Sequence, residues 1–214
     1  ASIRNKGWWI FDRLVRQEHL SFEIVAQKED IRFYVSCPRN LLDLVEKQIN
    51  GAWPGGDIVE VSEPNIFSKG GKVAFAALKT TGAKYEPIKA YRELSTDPLS
   101  SITSVLAKME EGEAAMIQII VEPAGGGWQT EGGNYISTTK KREADPKEAK
   151  FSADAKTFEA IGNKTSKAGF ETSVRIVVVA PEMAKAKQHL DNIVGAFSQF
   201  RSEHSGFDTC RILA

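Results

Sequence analysis

The chain has 214 residues, 42% of them hydrophobic and 26% charged, an ordinary globular composition with enough length for a real core. Lysine plus arginine equals aspartate plus glutamate at 28 each, so no net field draws the chain to nucleic acid or an acidic membrane, though a local patch stays open. Two cysteines, Cys37 and Cys210, are too few for a disulfide framework and point to a reducing compartment, and no run of about 18 apolar residues spans a bilayer.

Residues 7–18 carry Trp8, Trp9, Phe11, Leu14 and Val15 at helical spacing, which predicts an N-terminal helix within 1–20. Ser21 to Gln27 alternates as a strand with Phe22 and Ile24 on one face. Lys28-Glu29-Asp30 turns it back into a second strand over 31–37, making a hairpin. Leu41, Leu42, Val45 and Ile49 mark a helix face, with Asn40 as N-cap and Trp53-Pro54-Gly55-Gly56 as its stop. Ile58 to Val61 reads as a short strand and Lys72 to Lys79 as another, after the turn at Ser68-Lys69-Gly70-Gly71. Asp97-Pro98 is an N-cap followed by proline at the first helical position, and the helix behind it carries Leu99, Ile102, Val105, Leu106 and Met109. Gly112 closes it. Met116 to Val121 is a nearly continuous apolar strand, expected to be covered on both faces.

From 31 to 123 the order is strand, helix, strand, strand, helix, strand, which is the ferredoxin-like split βαβ order. Gly125-Gly126-Gly127, Gly132-Gly133 and Lys140-Lys141-Arg142 make 124–147 read as a long mobile loop. Beyond it, 147–168 predicts a helix around Ala155, Phe158 and Ile161. A strand over 171–180, a long helix over 182–200 and a last strand near 207–213 follow. The expected fold class is α+β: a ferredoxin-like subdomain over 21–123, the loop 124–147, and a C-terminal αβαβ subdomain over 148–214. Ile31-Arg32-Phe33-Tyr34-Val35-Ser36-Cys37-Pro38 also parallels Val174-Arg175-Ile176-Val177-Val178-Val179-Ala180-Pro181, so the second βαβ unit reads as an internal repeat.

Chemistry is hard to find in these residues. Gly70-Gly71-Lys72-Val73 lacks the Ser or Thr of a phosphate-binding loop and precedes a strand where a helix is needed. His19, His189 and His204 are too far apart in sequence for a zinc-ligand pair, so no metal or cofactor is expected. His189 falls at the edge of a buried stripe. Cys37 before Pro38 could serve as a nucleophile beside a base, but a lone cysteine in an apolar strand reads first as a packing residue. Glu110, Glu111 and Glu113 read as a solvated rim at a helix end. Lys140, Lys141 and Arg142 are the candidate nucleic-acid contact, although Glu143 and Asp145 follow at once. No enzyme activity is expected.

Several phrases in order resemble a recurrent bacterial domain: Ser21-Phe22-Glu23-Ile24-Val25, Ile31-Arg32-Phe33-Tyr34-Val35, Trp53-Pro54, Ile58-Val59-Glu60-Val61, Pro87-Ile88-Lys89, Asp97-Pro98-Leu99, Ile117-Gln118-Ile119, Gly169-Phe170 and Asn192-Ile193-Val194-Gly195-Ala196-Phe197. The domain they resemble precedes the P-loop ATPase in membrane-anchored proteins similar to the conjugative ATPases of type IV secretion systems. The resemblance covers about residues 8–207 and brings no catalytic residues. It implies a cytoplasmic position at the inner face of the cell membrane, held there only through a flanking anchor. It also implies an ATPase domain, in the same or a neighbouring chain, as partner. The start at Ala1 and the end at Ile212-Leu213-Ala214 read as cuts, of a processed chain or of an excised domain, with the excised domain favoured. The expected function is therefore a non-catalytic assembly or partner-binding domain, with a homo-oligomer as a further expectation. The alternative is a stand-alone single-stranded nucleic-acid binder with a ferredoxin-like sheet.

Overall fold

A computed structural model of the chain describes residues 19–28, 30–145 and 154–210. The helix expected over 7–18, the stretch 147–153 and the end of the last strand lie outside the described residues. The fold is α+β, a six-stranded antiparallel sheet with five α-helices among the described residues.

Strands β1 (Leu20–Gln27) and β2 (Asp30–Ser36) form the expected hairpin. Gln27 pairs with Asp30, and Lys28 between them takes a φ of 39°, the left-handed backbone that a two-residue hairpin turn needs. A 3₁₀ turn at Arg39–Leu41 leads into α1 (Leu42–Ala52). Asn40 falls inside that turn, so it does not cap the helix; Leu41 holds the cap position without a side-chain bond. β3 (Lys72–Thr80) and α2 (Pro98–Leu106) follow. Asp97 caps α2 as its sequence suggests, accepting the Leu99 N–H at 3.1 Å. Next come β4 (Ala114–Pro123), α3 (Gly127–Glu143), α4 (Ala155–Thr165) and β5 (Phe170–Ala180). Then α5 (Met183–Ala196) tightens into a 3₁₀ turn at Phe197–Phe200 before the short edge strand β6 (Phe207–Cys210).

The spatial order is β2-β1-β4-β5-β3-β6. Strands from the two halves of the sequence thus interleave: β5 lies between β4 and β3, and β6 closes the edge beside β3. The strands at 30–36 and 72–80 sit four places apart, so the ferredoxin-like order read over 31–123 does not form within that stretch. Residues 58–61 are not a strand either. Four alternating residues make a strand only where a neighbour offers its backbone, and no pairing in the sheet includes them.

Register fixes the two faces. Ile24, Ile117, Ile176 and Ala76 form one row across four strands; Val25, Met116, Val177 and Phe75 form the adjacent row on the other face. The first face carries the main core. Ala74, Ala76, Leu78, Ala115, Ile117, Val174, Ile176 and Val178 meet Ile102 and Leu106 of α2 and Ala186, Leu190 and Ile193 of α5. The long amphipathic stripe of α5 thus does what its spacing predicts. The second face is open over much of its area. Ile66 of the β2–β3 crossover packs on Val25, Ala114 and Val179 in the lower rows, and Ser21 and Glu23 are buried higher up on β1. On the helix side β4 buries Ala115 and Ile117 and leaves Ile119 and Val121 half-buried, and its other face is covered in part.

The stretch 124–147 is mostly helix, not a mobile loop. Glycine lowers helix propensity, but here closeness offsets it. A Cβ on Gly132 would stand 2.6 Å from Thr165 Cγ2 and 2.8 Å from Tyr85 Cβ, so only glycine lets α3 approach α4 and the 83–87 segment. Tyr135 stacks on Tyr85 at 5.3 Å, and Gln129 Nε2 donates to the backbone oxygens of Thr165 and Lys167. These contacts fix the helix against its neighbours.

Candidate interaction surface

The crossover from β2 to β3, residues 37–71, is where apolar side chains and structure part company. α1 buries none of its residues, and Leu42 and Leu44 are exposed. Beyond it Trp53 is 67% exposed, Val59 66%, and Ile58, Val61 and Phe67 are exposed as well. Scattered apolar residues on a surface are ordinary, but a series along one connecting segment is not. Ile66 anchors the segment to the sheet, Gln27 Nε2 donates to Asn65 O at 3.1 Å, and Asn65 Oδ1 accepts the Phe67 N–H at 2.9 Å. The crossover is thus held at its far end and displays apolar side chains along the rest.

A second apolar group lies on the hairpin. Phe22, Phe33 and Val35 belong to the helix-covered face, yet they sit on β1 and β2, beyond the reach of α2 and α5, and all three are exposed. β2 is an edge strand with five of its seven residues exposed, so its outer backbone groups are accessible among the described residues.

The polar cluster at the start of β4 departs from the expected rim. Glu110 and Glu111 are exposed, but the Glu113 side chain is only 1% exposed. Its Oε2 accepts the Glu110 N–H at 2.9 Å and lies 3.1 Å from His189 Nε2, while its Oε1 sits 2.7 Å from Lys185 Nζ. An ionised carboxylate only accepts, so His189 Nε2 must carry the proton of that contact. Burial alone would raise the Glu113 pKa. The Lys185 ammonium, the Glu110 N–H and the charge of His189 overcome it and hold the carboxyl below its usual range. Glu110 and Glu113 together hold the Lys185 ammonium's pKa above its usual value. The cluster ties the first turns of α5 to the entrance of β4, which is a structural task. Lys185 and His189 stand four apart on one helix face, and that spacing was the one legible sign of a shared partner.

On the open face the Glu23 carboxylate accepts from Ser21 Oγ at 2.9 Å and Gln118 Nε2 at 2.8 Å, and register places Tyr34 and Arg175 in the same row. Phe75 is exposed one row away. The two best-formed hollows measure about 120 and 230 Å³, below the ~300–1,000 Å³ of ordinary small-molecule sites. Among the described residues, no group of three His, Cys, Asp or Glu side chains could hold a metal ion. No helix among them is long and apolar enough to cross a membrane.

Lys140, Lys141 and Arg142 fall in the last turn of α3, exposed, where their charge complements the carbonyl end of the helix. The Lys140 ammonium lies 5.7 Å from the Phe158 ring centre of α4. The three are thus brought together on a helix end, and the sequence's reading of them as loop residues is replaced. Cys37, just past β2, and Cys210, at the end of β6, are half-buried free thiols at opposite edges of the sheet.

The described residues thus form an α+β domain with one antiparallel sheet and an exposed apolar connecting segment. The chain matches the DUF8128 family, described as a domain of unknown function, over residues 6–209, and belongs to that family. No curated protein and no solved structure matches it.

Proposed function

We propose that this domain is a non-catalytic assembly module of a type IV secretion-like DNA-transfer ATPase, and that its crossover, residues 42–67, receives the ATPase domain of the same or a neighbouring chain. The observation that carries the reading is the apolar series Leu42, Leu44, Trp53, Ile58, Val59, Val61 and Phe67, exposed along a segment pinned to the sheet by Ile66. Full burial of such a side chain is worth roughly 1.5–3 kcal/mol, and at 39–67% exposure each of the seven has part of that still to gain from a cover. The ordered phrases along the sequence supply the identity of the partner. In that setting the domain sits in the cytoplasm against the inner face of the cell membrane, held only through a flanking anchor.

We also read β3–α2–β4–β5–α5–β6 as a ferredoxin-like split βαβ unit, extended by the β1–β2 hairpin. Its strand order, β6-β3-β5-β4, and its two strand–helix–strand crossovers packed on one face support this. The internal repeat has less behind it. β2 and β5 both stop just before a proline and lead into a helix, but only α5 runs on to a strand, after its closing 3₁₀ turn, with no intervening irregular stretch like 53–71.

The nucleic-acid reading needs aromatic side chains paired on the open face of neighbouring strands. Phe75 is the exposed aromatic residue on β3's open face, and β5 offers Arg175 and Val177 beside it. That is a thinner platform than the crossover. The direct test is titration of the chain with a type IV secretion-like ATPase domain, comparing wild type with the triple variant Trp53→Ser, Val59→Ser, Val61→Ser. The expected result is binding weakened at least tenfold with the melting temperature unchanged. Equal binding by both proteins would overturn the assignment of the crossover as the contact.

A further inference from the structure

We infer that the domain pairs with a second copy of itself through β2, edge to edge and antiparallel, about a two-fold axis at Phe33. The inference rests on the assembly reading above and names a second partner surface, separate from the crossover.

In an antiparallel ladder alternate residues exchange both their bonds with one neighbour, and the residues between them turn theirs the other way. Two residues separate the paired Gln27 and Asp30, so that pair closes the hairpin with hydrogen bonds. Asp30, Arg32, Tyr34 and Ser36 therefore bond β1, while Ile31, Phe33 and Val35 point their N–H and C=O groups away from the sheet. Their side chains lie on the helix-covered face, where Phe33 is 62% exposed and Val35 is exposed beside Phe22. Among the described residues, one edge thus carries an unpaired backbone ladder and an apolar side-chain row at the same three residues. Native edges are usually blunted by charge, proline, a bulge or shortness; β2 carries Asp30 and Arg32, but these lie on the open face and bond each other, and its outward-bonding residues are all apolar.

The sequence of β2 also selects the register. With Phe33 opposite Phe33 of the second copy, Ile31 meets Val35 and Val35 meets Ile31, so all three outward-facing residues are paired. On the other face Arg32 then stands opposite Tyr34, and Asp30 opposite Ser36, with no like charges facing. Slipping the strands so that Ile31 meets Phe33 leaves Val35 unpaired and puts Arg32 opposite Arg32. Slipping the other way pairs Phe33 with Val35, loses Ile31, and brings Asp30 against the segment at Pro38. Like charges directly opposite destabilise a pair of strands, so the centred register wins on bonds against both slips and on charge against the first. The arrangement is self-complementary, as a two-fold interface requires, and it continues one sheet through both copies with their helices on the same side.

Sedimentation velocity of the full chain across a hundredfold concentration range is the test, together with oxidative cross-linking. Proline is tolerated in an edge strand where its missing N–H faced solvent, so Phe33→Pro removes the central bonds while leaving the monomer folded. The expected results are a concentration-dependent dimer for the wild type and at least tenfold weaker dimerisation for Phe33→Pro, with the same melting profile at concentrations where both are monomeric. In a background of Cys37→Ser and Cys210→Ser, Phe33→Cys should form a covalent dimer, because bonded partners lie about 5.5 Å apart at Cα, within disulfide reach. Ile31→Cys should not, since its own copy lies four positions away. A wild-type monomer at every concentration overturns the inference, and if that monomer still binds the ATPase domain, the assembly reading survives it. A dimer indifferent to Phe33→Pro, or Ile31→Cys cross-linking as readily as Phe33→Cys, overturns it as well.

Discussion

Glu113 shows how much a single carboxylate changes meaning with its surroundings. In sequence it is the last of three acids at a helix end, and nothing local marks it off from Glu110 and Glu111. In the fold it is the one that turns inward, where Lys185, His189 and the Glu110 N–H converge on it. Glu113→Gln keeps the shape but leaves Lys185 and His189 with a weaker partner, and is expected to destabilise the chain by about 1–3 kcal/mol in chemical denaturation. Because the Glu113 pKa is lower in the folded chain than unfolded, its contribution is complete above the unfolded carboxylate value, about 4.3. It is lost as pH falls through the folded value. The difference in stability between wild type and Glu113→Gln should therefore be widest at neutral pH and narrow in acid. A difference that grows on acidification would contradict the assigned shift.

Among the elements, α3 is the one whose existence composition conceals. Gly132 and Gly133 look alike as helix breakers, yet they stand in opposite environments. Gly132 faces Thr165 and Tyr85 at distances no Cβ could accept, while Gly133 has nothing within 4 Å. Gly132→Ala is expected to cost about 1–3 kcal/mol through forced separation of α3 and α4. Gly133→Ala should stabilise by up to ~1 kcal/mol, because it removes backbone freedom from an exposed helical site. Thermal melts of the two single variants check this, and shifts of the same sign would refute the packing described. The hairpin, α2 with its Asp97 cap and the stripe of α5 were legible in sequence because each is encoded locally, by alternation, by a cap and by a 3.6-residue period. The would-be strand at 58–61 had the right alternation but no neighbour, and a neighbour is not a local property. For the same reason Lys140, Lys141 and Arg142 look like loop residues in sequence: the helix that holds them depends on Gly132 meeting Thr165, 33 positions onward.

For the whole molecule, the decisive fact is the interleaving of the strands. A chain read from left to right suggests two successive units, but β5 enters between β4 and β3 and makes one sheet of both halves. That choice follows from which apolar rows match across long sequence distances, and single-sequence periodicity carries no such information. It also decides where the surface falls. With α2 and α5 on one face and the β2–β3 connection sent over the other, the crossover is left to display Trp53, Val59 and Val61 rather than to bury them. The candidate site was therefore legible as residues, in the phrases Trp53-Pro54 and Ile58 to Val61, but not as a surface. The most direct measurement is hydrogen exchange along the chain, alone and in the presence of a type IV secretion-like ATPase domain. The account predicts new protection over 42–67, with the open-face residues around Phe75 and Arg175 unchanged. Protection confined to that open face, or none at all, would contradict it.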